Sequence, residues 1–576
     1  MVQLIILMTW CALLYRPARY LYARFREMPR VVSLVAMGFL GLLVLVFHNV
    51  ITREGWPYNH DYQAMQFRTL VYAYHYDQFD FFPLWSSGEA GGMGSPLPLF
   101  YHKLFFWVSA CFFEVLHHMQ ASIILACAVF VAVGCAGVFR FLRIMGLRIW
   151  PSVLIAFLLP LQHYAYTDWF VRGAVAEFSA MMVIPWLFVW CAHYLKTGVF
   201  GYSLVWVLLA VYFAHSIIGY YAVLIVLCAV AIRWNHHFEW AEVWSTIRRS
   251  VIAGVVFAGV MSIYLIPAYL VSDWYDPSKI KMNIVDFFKP LWLYFYDGDY
   301  SFHDSPNGYT VQVSGVVWIS IGVLTLWWMI HKAVVRERVL LPTPAAHLIR
   351  LHLMASMLFC FLLQLSLSMP FYFFVPGADF IQFPWRLLSF IEVSLILVIG
   401  LMVLRVSQAY GKNAALGMTL LMFVSMAYAY PGRARPHDSW GWYESRFFED
   451  GVNRGVFGGG EYIPNVADTT ADEGYYRQLA QKGIEVLSGS VVTGERDALE
   501  NAEALRLVYR FDAEQPAEVA LPLNYSGLER MVIEKDDIRL KLVCTRTPDD
   551  PRMRIHIPAG RSTVVVFLPS FANIFR

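Results

Sequence analysis

The sequence predicts an all-α polytopic membrane domain of about eleven transmembrane helices, with outer juxtamembrane helices, followed by a small C-terminal β-sandwich. Three observations lead there. Of the 576 residues, 58% are hydrophobic and only 15% charged, whereas a soluble domain carries about a quarter charged residues. Apolar runs of about 20 residues, the length that crosses a bilayer, recur along residues 1–430. From residue 431 onward Pro, Gly and charged residues return, and apolar residues begin to alternate.

The spans are expected at 31–49, 121–142, 150–167, 175–195, 250–271, 312–331, 350–368, 386–405 and 413–430. Residues 202–233 read as two short spans broken at His215-Ser216, and 102–118, which holds Glu114 and ends in His117-His118, as a helix along the outer interface. The positive-inside rule fixes both choices. With them, eighteen Lys and Arg fall on the cytoplasmic side, from Arg16 through Lys412. Only Arg53, Arg68, Lys103, Arg172, Lys279, Lys281, Lys289 and Arg386 fall outside before the tail. The N-terminus is then cytoplasmic and the tail extracytoplasmic, as in an inner-membrane protein. Met1–Tyr15 is apolar but lacks a basic n-region, so it reads poorly as a cleaved signal peptide; whether it inserts is left open.

Two outer loops are long, 50–120 and 272–311, and long ordered loops are usually functional. The same assignment gathers most acids outside, so the working face is the outer one. Within 431–576, alternating runs at Leu505–Phe511, Glu518–Leu523, Ile538–Val543, Arg554–Ile557 and Thr563–Leu568 are separated by Tyr525-Ser526-Gly527 and Pro558-Ala559-Gly560. This is the pattern of an antiparallel β-sandwich. Of the eight cysteines only Cys544 lies in the tail, so the tail has no disulfide of its own. The net charge of +2 comes without a basic stripe, which gives no sign of nucleic-acid binding.

Asp61 stands about a dozen residues beyond the first span, near the membrane surface. There a low dielectric raises a carboxylate's pKa and makes it a useful base; alternatively it caps a helix beginning at Tyr62. Arg172 and Arg386 lie where helices meet the outer interface. They suit a phosphate, or else Arg172 pairs with Asp168 or Glu177 and Arg386 snorkels. Trp85 is a candidate for stacking a substrate ring. His60, Arg68, Glu177, His215 and Gln382 are candidates for the substrate cavity, with a packing role the alternative for His215. Asp77, Asp80 and Glu89 could join Asp61 in a carboxylate set of the kind Mg or Mn favours. A solvated acidic face explains them as well, so no metal or other cofactor is assigned.

Asp61 followed by Phe82-Pro83-Leu84-Trp85, Gly94-Ser95-Pro96 and Phe100-Tyr101 resembles the first periplasmic loop of GT-C glycosyltransferases. The pattern is also similar to that of the bacterial membrane proteins labelled 6-pyruvoyl-tetrahydropterin synthase-related. Asp168-Trp-Phe-Val-Arg172-Gly-Ala-Val-Ala-Glu177, Gln382-Phe-Pro-Trp-Arg386, Gly460-Glu-Tyr462-Ile-Pro464 and Leu521-Pro-Leu-Asn-Tyr525 follow in the same order. The resemblance implies transfer of a sugar from a polyprenyl-phosphate carrier to an extracytoplasmic acceptor (glycan, lipid or protein), with Asp61 as base. Two departures stand out: Gln66 falls where relatives often have histidine, and His102-Lys103 where they have a second proline. The latter makes Lys103 a candidate phosphate partner. The competing readings are a transporter or flippase for lipid-linked saccharides and an assembly scaffold for exported polysaccharide.

Overall fold

The computed structural model describes residues 61–86, 93–271, 284–294, 322, 344–378, 381, 383–411, 413–420, 422, 482–496, 506–524, 529–535, 538–547 and 550–570. The expected span 31–49, all of 312–331 but residue 322, half of 413–430, and His60, Glu89 and Gln382 lie outside the described residues. Among the described residues, ten helices of eight or more residues frame the first part of the chain: α1 Tyr62–Asp77, α2 Leu104–Leu116, α3 Met119–Ile144, α4 Ile149–Ala156, α5 Val175–Thr197, α6 Ser203–Ala214, α7 Ser216–His236, α8 Trp240–Leu270, α9 Pro344–Leu362 and α10 Leu388–Tyr410. Among the described residues, α3, α5, α7, α8, α9 and the continuous Pro384–Tyr410 segment are long and apolar enough to cross a bilayer. The chain is therefore a multi-pass membrane protein.

Helices α3 and α5 pack closely on each other, and glycine sets their distance. A methyl group added at Gly137 would meet Pro185 Cβ at 2.7 Å, and one at Gly134 would sit 3.0 Å from the Met182 carbonyl oxygen. Small residues are what let helix backbones approach this closely inside a membrane. Helix α5 is enclosed almost all round, ends at Gly198 with φ +70°, and carries Pro185 in its interior.

The segment expected to span at 150–167 is not one helix. Helix α4 stops at Ala156, because Pro160 supplies no N–H and clashes with the turn before it. A single turn, His163–Tyr166, and a π-helical turn, Thr167–Arg172, follow. The break at His215 is present, with α6 and α7 on either side. At 13 residues α2 is too short to cross, about 20 Å of helix. Helix α8 begins ten residues before the apolar run that announced it, in a charged first half.

Among its described residues the tail forms nine strands: β1 Glu485–Ser488, β2 Val491–Arg496, β3 Arg506–Ala513, β4 Ala517–Asn524, β5 Arg530–Lys535, β6 Ile538–Lys541, β7 Cys544–Thr547, β8 Asp550–Ile557 and β9 Gly560–Phe567. They make two antiparallel sheets, β1-β4-β8-β7 and β2-β3-β9-β5-β6. The inward residues of both sheets, among them Tyr509, Phe511, Val519, Leu521, Met553, Ile555, Val564 and Val566, share one core. This is the face-to-face packing of a sandwich. Arg552 is buried between Asp550 and Glu485, donating to them at 2.8 and 2.6 Å, and ties β8 to β1.

Candidate active site

The site grows from the π-helical turn. Its wider coil ends at Gly173, where φ is +69°, and Ala174 N–H donates to the Asp168 carbonyl at 2.7 Å. π-Turns are rare and concentrate at functional positions. This one brings Arg172 Nη1 to 2.6 Å from Asp168 Oδ1 and 2.9 Å from Glu177 Oε2. The same nitrogen donates to the Tyr164 hydroxyl at 3.2 Å, and that hydroxyl donates to Glu177 Oε1. Glu177 stands in the first turn of α5 and Asp168 is fully buried. An uncompensated charge at such depth costs several kcal/mol, so the ions hold one another.

Arg386 enters from the other side. It sits in the 3₁₀ turn Pro384–Leu387 that starts the α10 segment, and its Nε lies 3.3 Å from Glu177 Oε2. One carboxylate oxygen thus holds both arginines. The Arg386 guanidinium also lies 4.8 Å from the centre of the Phe383 ring.

Asp61 is fastened to this cluster through its backbone: its N–H donates to the Arg172 carbonyl at 2.9 Å. Helix α1 does begin at Tyr62, but the Asp61 side chain makes no cap hydrogen bond. The capping explanation therefore lacks its defining contact. Burial raises the Asp61 carboxyl above its ordinary value, against the pull of Arg68, Arg172 and Arg386 and with a further push from Glu177. Arg68 itself is stacked 3.5 Å over the Tyr101 ring.

The segment after Tyr101 adds a third wall. His102 and His215 stack at 3.9 Å, and each accepts through Nδ1 from the N-terminal turn of α7, from Ser216 N at 3.2 Å and Ile218 N at 3.4 Å. His215 is thus the N-cap of α7. Burial, then His215, Arg386, Lys103 and Arg68, hold His102 well below the ordinary histidine range, so it is neutral. Lys103 is buried, donates to the Tyr101 and Leu99 carbonyls at 2.7 and 3.3 Å, and rests 4.3 Å over the Tyr264 ring. Burial pulls its amine down to about 7.

No protein-family model and no curated protein matches the chain. Among solved structures, an oligosaccharyltransferase from Archaeoglobus fulgidus, in the apo form, is similar at 12% identity and a TM-score of 0.36. The match covers 78% of this chain and 59% of the archaeal one. The chain thus spans well under two thirds of that protein's length. A likeness this low leaves both fold and activity to rest on this chain's own residues.

Asp61, Arg68, Arg172, Glu177 and Arg386 thus meet in space, and His215 and Lys103 border them through His102. Trp85 does not belong there. It is fully buried in the core of the tail sandwich, so no face of its indole is open to a sugar ring, and the stacking role is withdrawn. Asp80 is also elsewhere. It lies beyond the C-terminus of α1, while Asp61 precedes its N-terminus, and a helix of 16 residues separates them by about 24 Å. It is bound to His75 Nδ1 at 3.0 Å. Asp80 therefore does not join Asp61, Glu89 lies outside the described residues, and among the described residues no three His, Cys, Asp or Glu side chains are placed to hold a metal ion.

Two contributors escaped the sequence reading. Tyr164 lies on the broken segment that had been read as a plain span. Glu392 is fully buried in α10 and accepts the Tyr164 N–H at 3.2 Å, serving the backbone that the break leaves open. A lone acid inside an apolar span was its available signal.

Proposed function

We propose that the protein is a membrane glycosyltransferase that moves a sugar from a polyprenyl-phosphate carrier to an acceptor outside the cytoplasm. The observation that carries this reading is Asp61: a carboxyl that does no capping, raised by burial, with Arg68, Arg172 and Arg386 as its charged neighbours. As the acceptor hydroxyl attacks the anomeric carbon, Asp61 takes its proton. The bond from that carbon to the carrier phosphate oxygen breaks, and its electron pair leaves with the phosphate. Inversion follows from attack opposite the leaving group. Arg386, at the start of the α10 segment, is the group assigned to the departing phosphate, where a guanidinium offers charge-assisted hydrogen bonds. Arg172 is assigned a supporting role, because its Nη1 is committed to Asp168, Glu177 and Tyr164. Lys103, held by two backbone carbonyls, fits a boundary charge better than a direct phosphate ligand.

The broken α4–π segment, with Glu392 beneath it, favours a second reading, since transporters build their sites on interrupted helices near the midplane. Purified protein in proteoliposomes separates the two. Supplied with a panel of polyprenyl-phosphate-linked radiolabelled sugars and membrane-derived acceptors, the transferase makes a labelled product that Arg386→Ala reduces at least tenfold. Movement of the intact lipid-linked sugar across the bilayer with no product would favour the transporter.

A further inference from the structure

The core of the C-terminal sandwich is closed by a residue that does not belong to it. Beside the side chains from residues 507–568, that core contains Trp85, which is 0% exposed. Trp85 comes from the first outer loop, and the loop is shaped around it. Next to Trp85, Ser86 and Ser95 exchange two backbone hydrogen bonds of 2.8 and 2.9 Å. Gly94, with φ +85°, lies against the indole: a Cβ there would be 2.5 Å from Cζ2. The ring is therefore backed by glycine backbone on one side and joins the strand side chains on the other. Met93 and Leu84, which flank this arrangement, are both fully buried.

A second set of contacts ties the same residue to α1. The Trp85 carbonyl faces His75 Nε2 at 2.8 Å, His75 Nδ1 faces Asp80 Oδ2 at 3.0 Å, and Asp80 Oδ1 accepts the Phe82 N–H at 3.2 Å. His75 lies in the last turn of α1, the helix whose first residue follows Asp61. His75 and Asp80 are both buried. A short, internally bonded path thus runs from the sandwich core through Trp85 and His75 into α1.

We propose that Trp85 is the anchor that locks the C-terminal sandwich onto the first outer loop, and that this lock positions α1 and hence Asp61. The sandwich is then an incomplete domain that needs the loop to fill its core. Aromatic side chains bury 150–250 Å² each, so removing the indole opens a hole where the two parts meet. Trp85 is a positioning residue: it touches neither Asp61 nor the arginines, and acts through the Asp80–His75 clasp. The anchoring stands on packing alone; only the positioning half rests on the glycosyltransferase reading.

The test uses the full chain in lipid nanodiscs, with a protease site introduced between residues 440 and 455. After cleavage, retention of the tail is followed by size exclusion. The wild-type tail stays with the membrane domain, Trp85→Phe retains it, and Trp85→Ala releases it on the order of a hundredfold faster, with the membrane domain still monodisperse. Retention of the tail by Trp85→Ala as firmly as by wild type, or loss of the wild-type tail on cleavage, overturns the anchor. Uncleaved Trp85→Ala should lose transfer mainly in kcat with donor KM little changed, and Trp85→Phe should restore it. If Trp85→Ala frees the tail yet keeps kcat, the positioning half is overturned. Failure of wild type to transfer any sugar would defeat the functional reading alone, because tail retention is still measured.

Discussion

Glu177→Gln isolates what holds the two arginines together. Glu177 is 1% exposed, and its Oε2 meets Arg172 Nη1 at 2.9 Å and Arg386 Nε at 3.3 Å. A glutamine keeps the shape, and its carbonyl oxygen can turn toward both arginines. Its amide then faces the Tyr164 hydroxyl, which must accept where it donated. The larger loss is charge: two buried guanidiniums would lose the carboxylate they share. Removing one partner of a buried ion pair costs about 3–5 kcal/mol, and the retained hydrogen bonds place this variant at about 3 kcal/mol. At about 2 °C per kcal/mol for a larger chain, thermal unfolding in detergent should come roughly 6 °C earlier. Arg172→Met alone should destabilise as well, but the Arg172→Met/Glu177→Gln double variant should cost clearly less than the sum, since each single change strands the other's charge. A Glu177→Gln protein within 1 °C of wild type, or strict additivity of the pair, would refute the claim that one carboxylate holds this cluster.

Other outcomes follow from the same contacts. Lys103 is held near 7 by burial against an ordinary 10.5, so folding binds fewer protons than unfolding between those values and wild-type stability falls as pH drops through them. The melting temperature of Lys103→Met relative to wild type should therefore rise from pH 10 to 7 and level off below; a flat difference would contradict a buried amine. Gly94→Ala should destabilise the loop, because the new methyl meets the Trp85 indole at 2.5 Å and φ is +85°; equal resistance to limited proteolysis would argue against that contact. For topology, impermeant thiol labelling in a cysteine-free background should modify a cysteine at position 300 and spare one at 244, and the reverse would invert the assignment.

The sequence made the ingredients of the site visible but not their wiring. Asp61, Arg172, Glu177 and Arg386 were each conspicuous as ionisable groups at the outer ends of apolar runs, and the structure draws them into one cluster from three separate segments. What connects them was hidden, because 150–167 is apolar enough to pass for a span. Pro160 was the sign of a break, and only the break makes sense of Glu392 and of the Tyr164 hydroxyl between Arg172 and Glu177. In the tail, strands β3, β4, β6, β8 and β9 were legible because apolar residues alternate along them. Strands β1, β2, β5 and β7 were not, being short or carrying charges and glycine along their length. Trp85 was misread for a deeper reason: an outer-loop tryptophan looks the same in sequence whether it meets a sugar or fills a core, and its partners lie at residues 507–568.

The central claim is that the Asp61 carboxylate takes a proton from the acceptor, and Asp61→Asn tests it most directly. The substitution keeps size and hydrogen bonding, and asparagine caps helices about as well as aspartate, so the fold and membrane insertion should be unchanged. General-base assistance is worth about 10²–10⁴ in rate. Transfer in proteoliposomes should therefore fall at least a hundredfold. The wild-type acid limb of kcat/KM, placed above the ordinary 3.8 by the burial of Asp61, should vanish from whatever activity remains. Near-normal transfer by Asp61→Asn, with the acid limb intact, would contradict the account.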